Sequence, residues 1–341
     1  MNKFLKAFGV LFLLSAVAVG VAYNKFLGSV VEKSEIIYIS TADLKNVGYR
    51  VVVDSLILPH ISNRLAFETY AKRLDLPERI KPGRYELSEG QSVIDIVRML
   101  KLGIEKPTQL TFNNIRTPEQ LAGRMAQQIE ADSIEVLNVL GSEEVLSMVG
   151  FKNRKELMSI FIPNTYEIYW STSPQKLVAR MNREYQNFWT QSREEKRKLL
   201  NLSRLDVSTL ASIVYEETIK SDEMPRVAGV YLNRLRIGMR LQADPTVKYA
   251  MGDFELKRIL FKHLEYDSPY NTYKYGGLPP TPIAMPSIAA IDAVLNAEKH
   301  SYLYFCARPE FDGYHNFAKT LSEHNANSRS YSKELNRRNI K

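Results

Sequence analysis

With one cysteine, five histidines and two tryptophans in 341 residues, several chemistries drop out at once. The lone thiol, Cys306, supports neither an intramolecular disulfide nor a cysteine-rich metal site. Its apolar setting, Tyr302–Ala307, predicts a buried structural thiol. His60, His263, His300, His315 and His324 show no His-x-x-x-His spacing and there is no HExxH, so no metal is expected. Gly-x-Ser-x-Gly, the P-loop and the dinucleotide fingerprint are all missing. Gly276-Gly277 alone is too short to cradle a phosphate, and no cofactor is expected.

What is present is first of all an apolar N-terminal run. Lys3 and Lys6 precede Ala7–Tyr23, which carries no charge. Seventeen helical residues span about 25 Å, and including Phe4 and Leu5 with Lys6 snorkelling brings the run to bilayer thickness. The basic flank predicts residues 1–6 in the cytoplasm, a transmembrane helix over 7–23, a linker over 24–34 and the remaining chain outside. Ala16-Val17-Ala18 also fits a signal-peptide cleavage site, but the run stays apolar past it, which favours an uncleaved anchor. A formal charge of +8 and a pI near 9.2 suit an anionic membrane surface or wall polymer better than nucleic acid in an exported body. A merely soluble basic surface is the alternative. Part of the excess is local, with five Lys/Arg against one Glu over Arg329–Lys341.

The body reads as α+β. Glu35–Ser40 alternates as a strand, and Thr41–Leu76 is helical with a break near Pro59. Lys81-Pro82-Gly83 is a turn, Arg84–Leu87 a strand, and Ser92 caps a helix with Val93, Ile96, Val97 and Leu100 on one face. Gln109–Phe112 is a strand, followed by a helix start at Thr117-Pro118-Glu119-Gln120. Asp132–Leu200 is helical apart from Phe161–Tyr166. That aromatic segment, running on to Tyr169 and Trp170, suits either a sugar groove or core.

The most informative position is Glu217. In the helix predicted over Asp206–Lys220 the apolar stripe is Val207, Leu210, Ala211 and Val214, and the next residue on it is Glu217. A carboxyl on a buried face costs free energy unless it is paired, neutral or used. Burial raises its pKa toward the value a general acid needs near pH 7. Glu216 projects to the side, toward solvent by default. A second helix, Pro225–Ile237, carries Asn233 and Arg234 and stops at Gly238. Pro-, Asn- and Tyr-rich loops follow at 239–246, 268–273 and 276–282, and these suit a neutral ligand bearing hydroxyl and acetamido groups.

An acid with amide-rich loops points to glycosidic cleavage, which ordinarily takes two carboxylates. Asp244 is the second candidate, although its place before Pro245 equally suits a turn residue. One acid suffices where the substrate brings its own nucleophile, as the C6 hydroxyl of N-acetylmuramic acid does.

At these positions the sequence strongly resembles the endolytic murein transglycosylases, the MltG or YceG-like family. The matching stretches are ASIVYEET (211–218), VYLNRLRIGMRLQADPTVKYAMG (230–252), SPYNTYKYGGLPPTPIAMP (268–286), SYLYFCA (301–307) and HNFAKTLSEHN (315–325), with KPGRYEL (81–87) resembling the family's LysM-like subdomain. The resemblance implies a LysM-like subdomain over 35–105 and a mixed helical/β catalytic domain over 106–341, with the Glu-bearing core at 150–330. It implies that Glu217, directly before Thr218, is the acid–base residue. Tyr215 stands where relatives often carry a further Glu, which argues against a role for positions 215 and 216. Asn233, Gln242, Asp244, Tyr270, Asn271 and Asn316 are the expected groove residues. The implied reaction is non-hydrolytic cleavage of the MurNAc–GlcNAc β-1,4 bond within peptidoglycan strands, leaving 1,6-anhydro-MurNAc ends. The implied setting is the inner (cytoplasmic) membrane, with a single-pass anchor, an extracytoplasmic catalytic domain and peptidoglycan synthases as partners. A non-catalytic wall-binding scaffold and a hydrolytic muramidase using Asp244 are the rival expectations.

Overall fold

The computed structural model describes residues 2–26, 28–256 and 258–338, with side chains on the first helix given for Phe8–Val21 and Tyr23. The chain divides into two compact units. Unit 1 comprises 1–110, 128–130 and 166–173; unit 2 comprises 111–127, 131–165 and 174–341.

Unit 1 begins with helix α1 (Asn2–Phe26), whose Phe8, Val10–Leu14, Val17, Val19 and Val21 are all exposed. Among the described residues no helix is long and apolar enough to cross a membrane. The side chains of Ala7 and Ala22, near the two ends of the expected span, lie outside the described ones. Strand β1 (Glu35–Ile39) pairs antiparallel with β2 (Gly83–Leu87), Ile37 opposite Tyr85. Between them run α2 (Thr41–Asn46), α3 (Gly48–Val52), a π-helical turn at Val53–Ile57, a 3-10 turn at Leu58–His60, α4 (Arg64–Arg73) and α5 (Leu76–Arg79). The break near Pro59 therefore falls where a missing N–H predicts it. Helix α6 (Val93–Leu102) opens with a capping box between Ser92 and Asp95. Ile37, Ile39, Tyr85 and Leu87 from the sheet pack with Phe67 of α4 and Ile96, Val97 and Leu100 of α6. This alternation of buried and half-exposed residues along β2 is what a sheet with one covered face requires.

Strand β3 (Thr108–Thr111) pairs with β4 (Thr165–Ile168), and most of both strands belongs to unit 1. In unit 2, α7 (Pro118–Ala126) is capped by the Thr117 hydroxyl, while the Gln120 side chain accepts from the Arg116 N–H. After it come α8 (Ser133–Leu140), α9 (Glu143–Val149) and α10 (Arg154–Leu157). Phe161 and Ile162 are buried, so this part of the aromatic segment is core; farther on, Tyr166 is buried while Tyr169 is exposed. The remaining elements are α11 (Pro174–Phe188), α12 (Gln191–Leu199), α13 (Arg204–Glu217), α14 (Met224–Arg236), α15 (Asp244–Met251), α16 (Phe261–Leu264), α17 (Ile288–Leu295), β5 (Tyr304–Ala307), β6 (His315–Ala318) and α18 (Leu321–Arg337). Helix α13 is the axis of this unit. Every residue from Val207 to Val214 is buried, because α14 and α17 both pack on it.

Candidate active site

Helix α13 stops at Glu217, three residues before the end the sequence pattern predicts. Thr218 leaves the helix with extended angles, φ −143° and ψ 136°, and its hydroxyl donates to buried Glu223 at 3.3 Å while accepting from the Lys220 N–H at 3.1 Å. Those bonds replace the next helical turn. Glu217 is thus the last helical residue, held at the end of a 14-residue helix. The unsatisfied carbonyls of that terminus disfavour negative charge.

The stripe that singled out Glu217 is real: Val207, Leu210, Ala211 and Val214 are fully buried. Glu217 itself is half-buried, opening on a cleft of about 420 Å³ lined also by Tyr231, Arg234, Gln242, Asp244, Tyr273, Tyr304 and His324. A second cavity of about 300 Å³, with Ile219, Phe311, Tyr314 and Tyr331 in its wall, shares Glu217, Ala307 and His315 with the first. The acid therefore stands where two lobes of one groove meet.

Loss of water around the carboxyl raises the Glu217 pKa to about 7. The Tyr231 hydroxyl, donating to Oε1 at 2.8 Å, works against that rise. The nearby charge of Asp244 adds to it, Arg234 opposes it, and Glu216 adds to it again. The hydrogen-bond partner is a neutral phenol, not a cation, so burial prevails and the group titrates where an acid can donate at neutral pH. Its neighbour is partnered differently. Glu216 does not face open solvent; both of its carboxyl oxygens lie 3.0 Å from Arg116 Nη2, and the two side chains are about one-fifth to one-quarter exposed.

Tyr231 and Arg234 lie on the same face of α14 as Val227 (spacing four, then three) and are almost completely buried. A tyrosine and an arginine on an apolar stripe are the same signal that revealed Glu217 one helix earlier. Arg234 is fixed by two backbone carbonyls, Leu303 and Leu241, each at 2.6 Å. Gln242 has φ +49°, a left-handed backbone that costs a non-glycine residue free energy and clusters at functional sites. Asp244 is the first residue of α15, and its Oδ1 accepts from the Tyr273 hydroxyl at 2.6 Å. Burial and Asp244 together raise the Tyr273 pKa, so that hydroxyl remains a donor.

Of the six groove residues expected from the sequence, Gln242 and Asp244 line the cleft with Glu217. The other four are not among its lining side chains. Asn233 is buried and donates to the carbonyls of His300 and Tyr302 at 2.9 and 3.0 Å, fixing the segment that enters β5. Asn271 is fully buried, donates to Leu264 and Tyr266 carbonyls, and accepts from the Tyr273 N–H at 3.0 Å. It thereby orients Tyr273. The Tyr270 hydroxyl lies 2.7 Å from that of Thr281. Asn316 sits on β6 opposite Cys306. Cys306 itself is half-exposed on the cleft wall, not buried as its apolar neighbours suggest; a two-stranded sheet covers only part of its own residues. Among the described residues no cluster of three metal-ligating side chains forms.

Residues 45–330 match the model of the YceG-like family. A Bacillus subtilis (strain 168) protein named endolytic murein transglycosylase is 32% identical over 286 residues, 80% of this chain and 78% of that one. A protein of the same name from Streptococcus pneumoniae strain D39 is 28% identical over 282 residues, 72% of this chain and 50% of its own length. The chain thus spans about half of that pneumococcal relative. The crystal structure of a YceG-like protein from Listeria monocytogenes superimposes with a TM-score of 0.57 at 27% identity, covering 86% of this chain and 98% of that one. With the family pattern running over most of the sequence and the acid-bearing groove inside it, this chain belongs to the YceG-like family.

Proposed function

We propose that this protein is an endolytic murein transglycosylase that cuts the MurNAc–GlcNAc β-1,4 bond inside glycan strands and leaves 1,6-anhydro-MurNAc ends. The single observation that carries the reading is Glu217, protonated near neutrality at the meeting point of a two-lobed groove. Glu217 donates its proton to the bridging oxygen as the C1–O bond breaks. The C6 hydroxyl of the same MurNAc then forms the C1–O6 bond and returns a proton to Glu217. No water enters, and one carboxyl serves as acid and then base. Lobes on both sides of the acid suit a strand that continues in both directions, which is what an internal cut requires.

Asp244 supports a second reading, a hydrolytic muramidase, because it lines the same cleft and its charge acts on Glu217. In that case Asp244 would be the second carboxylate. Mass spectrometry of digested glycan strands separates the two. Anhydro ends support the transglycosylase, reducing ends one water heavier support hydrolysis, and intact strands sink both in favour of a wall-binding scaffold.

The same proposal puts the protein at the cytoplasmic membrane by its α1 helix, with Lys3 and Lys6 inside and the body outside, next to the peptidoglycan synthases whose strands it would cut. In this reading unit 1 would be the LysM-like subdomain and would hold glycan near the membrane.

A further inference from the structure

The groove contains a second ionisable side chain that the acid–base reading does not use. His315 begins β6 opposite Ala307 and lines both lobes. Its Nδ1 lies 2.7 Å from Oε2 of Glu223, and its backbone N–H donates to Oε1 of the same carboxyl at 2.9 Å. Glu223 is buried, and its Oε2 also accepts from Thr218. A carboxylate engaged on both oxygens is an acceptor, so the ring proton sits on Nδ1. Phe305 meets the imidazole edge-to-face at 5.2 Å and meets Tyr231 in the same way at 5.8 Å. The ring is thereby fixed on two sides. Nε2, the far nitrogen, has no protein partner among the described residues.

We propose that His315 is a further substrate-contacting residue of this groove, presenting its Nε2 lone pair to a sugar hydroxyl beside the scissile bond, with Glu223 as the positioning residue that fixes the tautomer. The inference rests on the glycan-cleaving reading above. Glu223 supplies the orientation that a second acceptor bond gives any functional histidine. One carboxyl holding both ring and backbone leaves the imidazole no free rotation. Thr218 ties the dyad to the end of α13, so the acid and the imidazole share one anchor.

Two variants of the full chain test this against purified glycan strands. His315→Asn keeps a donor toward Glu223 and deletes the groove nitrogen. It is expected to raise KM on the order of tenfold, the effect of one lost hydrogen bond, with kcat and the unfolding midpoint little changed. Glu223→Gln keeps an acceptor for the backbone N–H and turns an amide donor toward Nδ1, which moves the ring proton to Nε2. Nitrogen-15 NMR of the labelled ring should report that switch together with a similar rise in KM. In a Glu217→Gln background, which binds without cutting, adding strands should shift the His315 Nε2 resonance. Wild-type KM in folded His315→Asn, or an Nε2 resonance indifferent to bound strands, overturns the proposal while the glycan-cleaving reading stands. A wild-type protein that neither cuts nor binds strands removes that reading, and this inference with it.

Discussion

Unit 1 and unit 2 solve the problem of burial differently. In unit 1, Ser92 is the buried polar residue among the described ones, and the rest of the core is apolar apart from tyrosine hydroxyls such as that of Tyr85, which donates to the Lys81 carbonyl. Unit 2 buries Glu223, Asn233, Arg234, His263 and Asn271 along with several serines and threonines. Those five side chains are bonded to backbone groups or to each other's neighbours, so most of the desolvation cost is offset, with little net gain in stability. What they produce is geometry. Apolar packing stabilises unit 1; a polar framework in unit 2 holds a few side chains at fixed positions around Glu217. The lesson repeats at the scale of two adjacent residues. Glu216 is paired with the Arg116 guanidinium, whereas Glu217 accepts from the Tyr231 phenol, and that difference in partner is what sets the two carboxyls apart.

The widest separation should come from that pair. Glu217→Gln is expected to lower strand cleavage by roughly 10²–10⁴-fold, the usual worth of a general acid. Glu216→Gln should leave cleavage within about tenfold and lower stability by about 1–2 kcal/mol, since it strands the Arg116 charge in a partly buried site. Cleavage of purified glycan strands and urea unfolding read the two effects, and equal losses of cleavage from both variants would erase the distinction. Next in size is the contrast between the units. Phe67→Ala in unit 1 should cost about 3–5 kcal/mol of that unit's stability while kcat for short glycan fragments stays at the wild-type value. A large fall in kcat would mean that the apolar unit does more than support.

A smaller effect follows from linkage. The Glu217 pKa is raised on folding, from 4.5 to about 7, so the folded state holds this proton more tightly than the unfolded one. Wild-type stability is therefore undiminished below pH 4.5 and falls as pH rises through 7. Glu217→Gln should match wild type near pH 4 and exceed it at pH 8 by up to about 3 kcal/mol. Denaturant curves at both values would show whether the gap opens in that window. The finest test shifts the acid without removing it. The pH profile of kcat/KM should fall above about pH 7, where Glu217 loses its proton. Asp244→Asn should move that limb to lower pH, because the Asp244 charge raises the Glu217 pKa, and Tyr231→Phe to higher pH, because the phenol lowers it. A limb that stays put in both variants would disconnect the cleft from its acid.

Glu217 was legible in the sequence because helical periodicity converts directly into burial. Tyr231 and Arg234 carry the same signature, and counting polar residues on the α14 stripe finds them. The two strands of unit 1 and the Ser92 cap were legible for similar reasons, since turn residues and alternation act locally; the pairing of those strands was not. The amides were not. Asn233 and Asn271 occupy the polar segments that a sugar groove uses, yet each donates to two backbone carbonyls; sequence does not distinguish an amide that faces a ligand from one that holds a loop behind it. Likewise, the pairing of His315 with Glu223 joins residues 92 positions apart, beyond any local pattern. Cys306 misleads because apolar neighbours indicate a strand, not which of its residues the strand covers.

The early end of α13 separates two kinds of change. The acid's coordinates are set by the helix behind it and by Thr218, whereas Ile219 just beyond is 89% exposed and belongs to the wall of the second lobe. Substitutions there would alter the shape and polarity of that wall without displacing Glu217 two residues away. A change at Ile219 would therefore alter what the second lobe accommodates while leaving the carboxyl where the helix puts it.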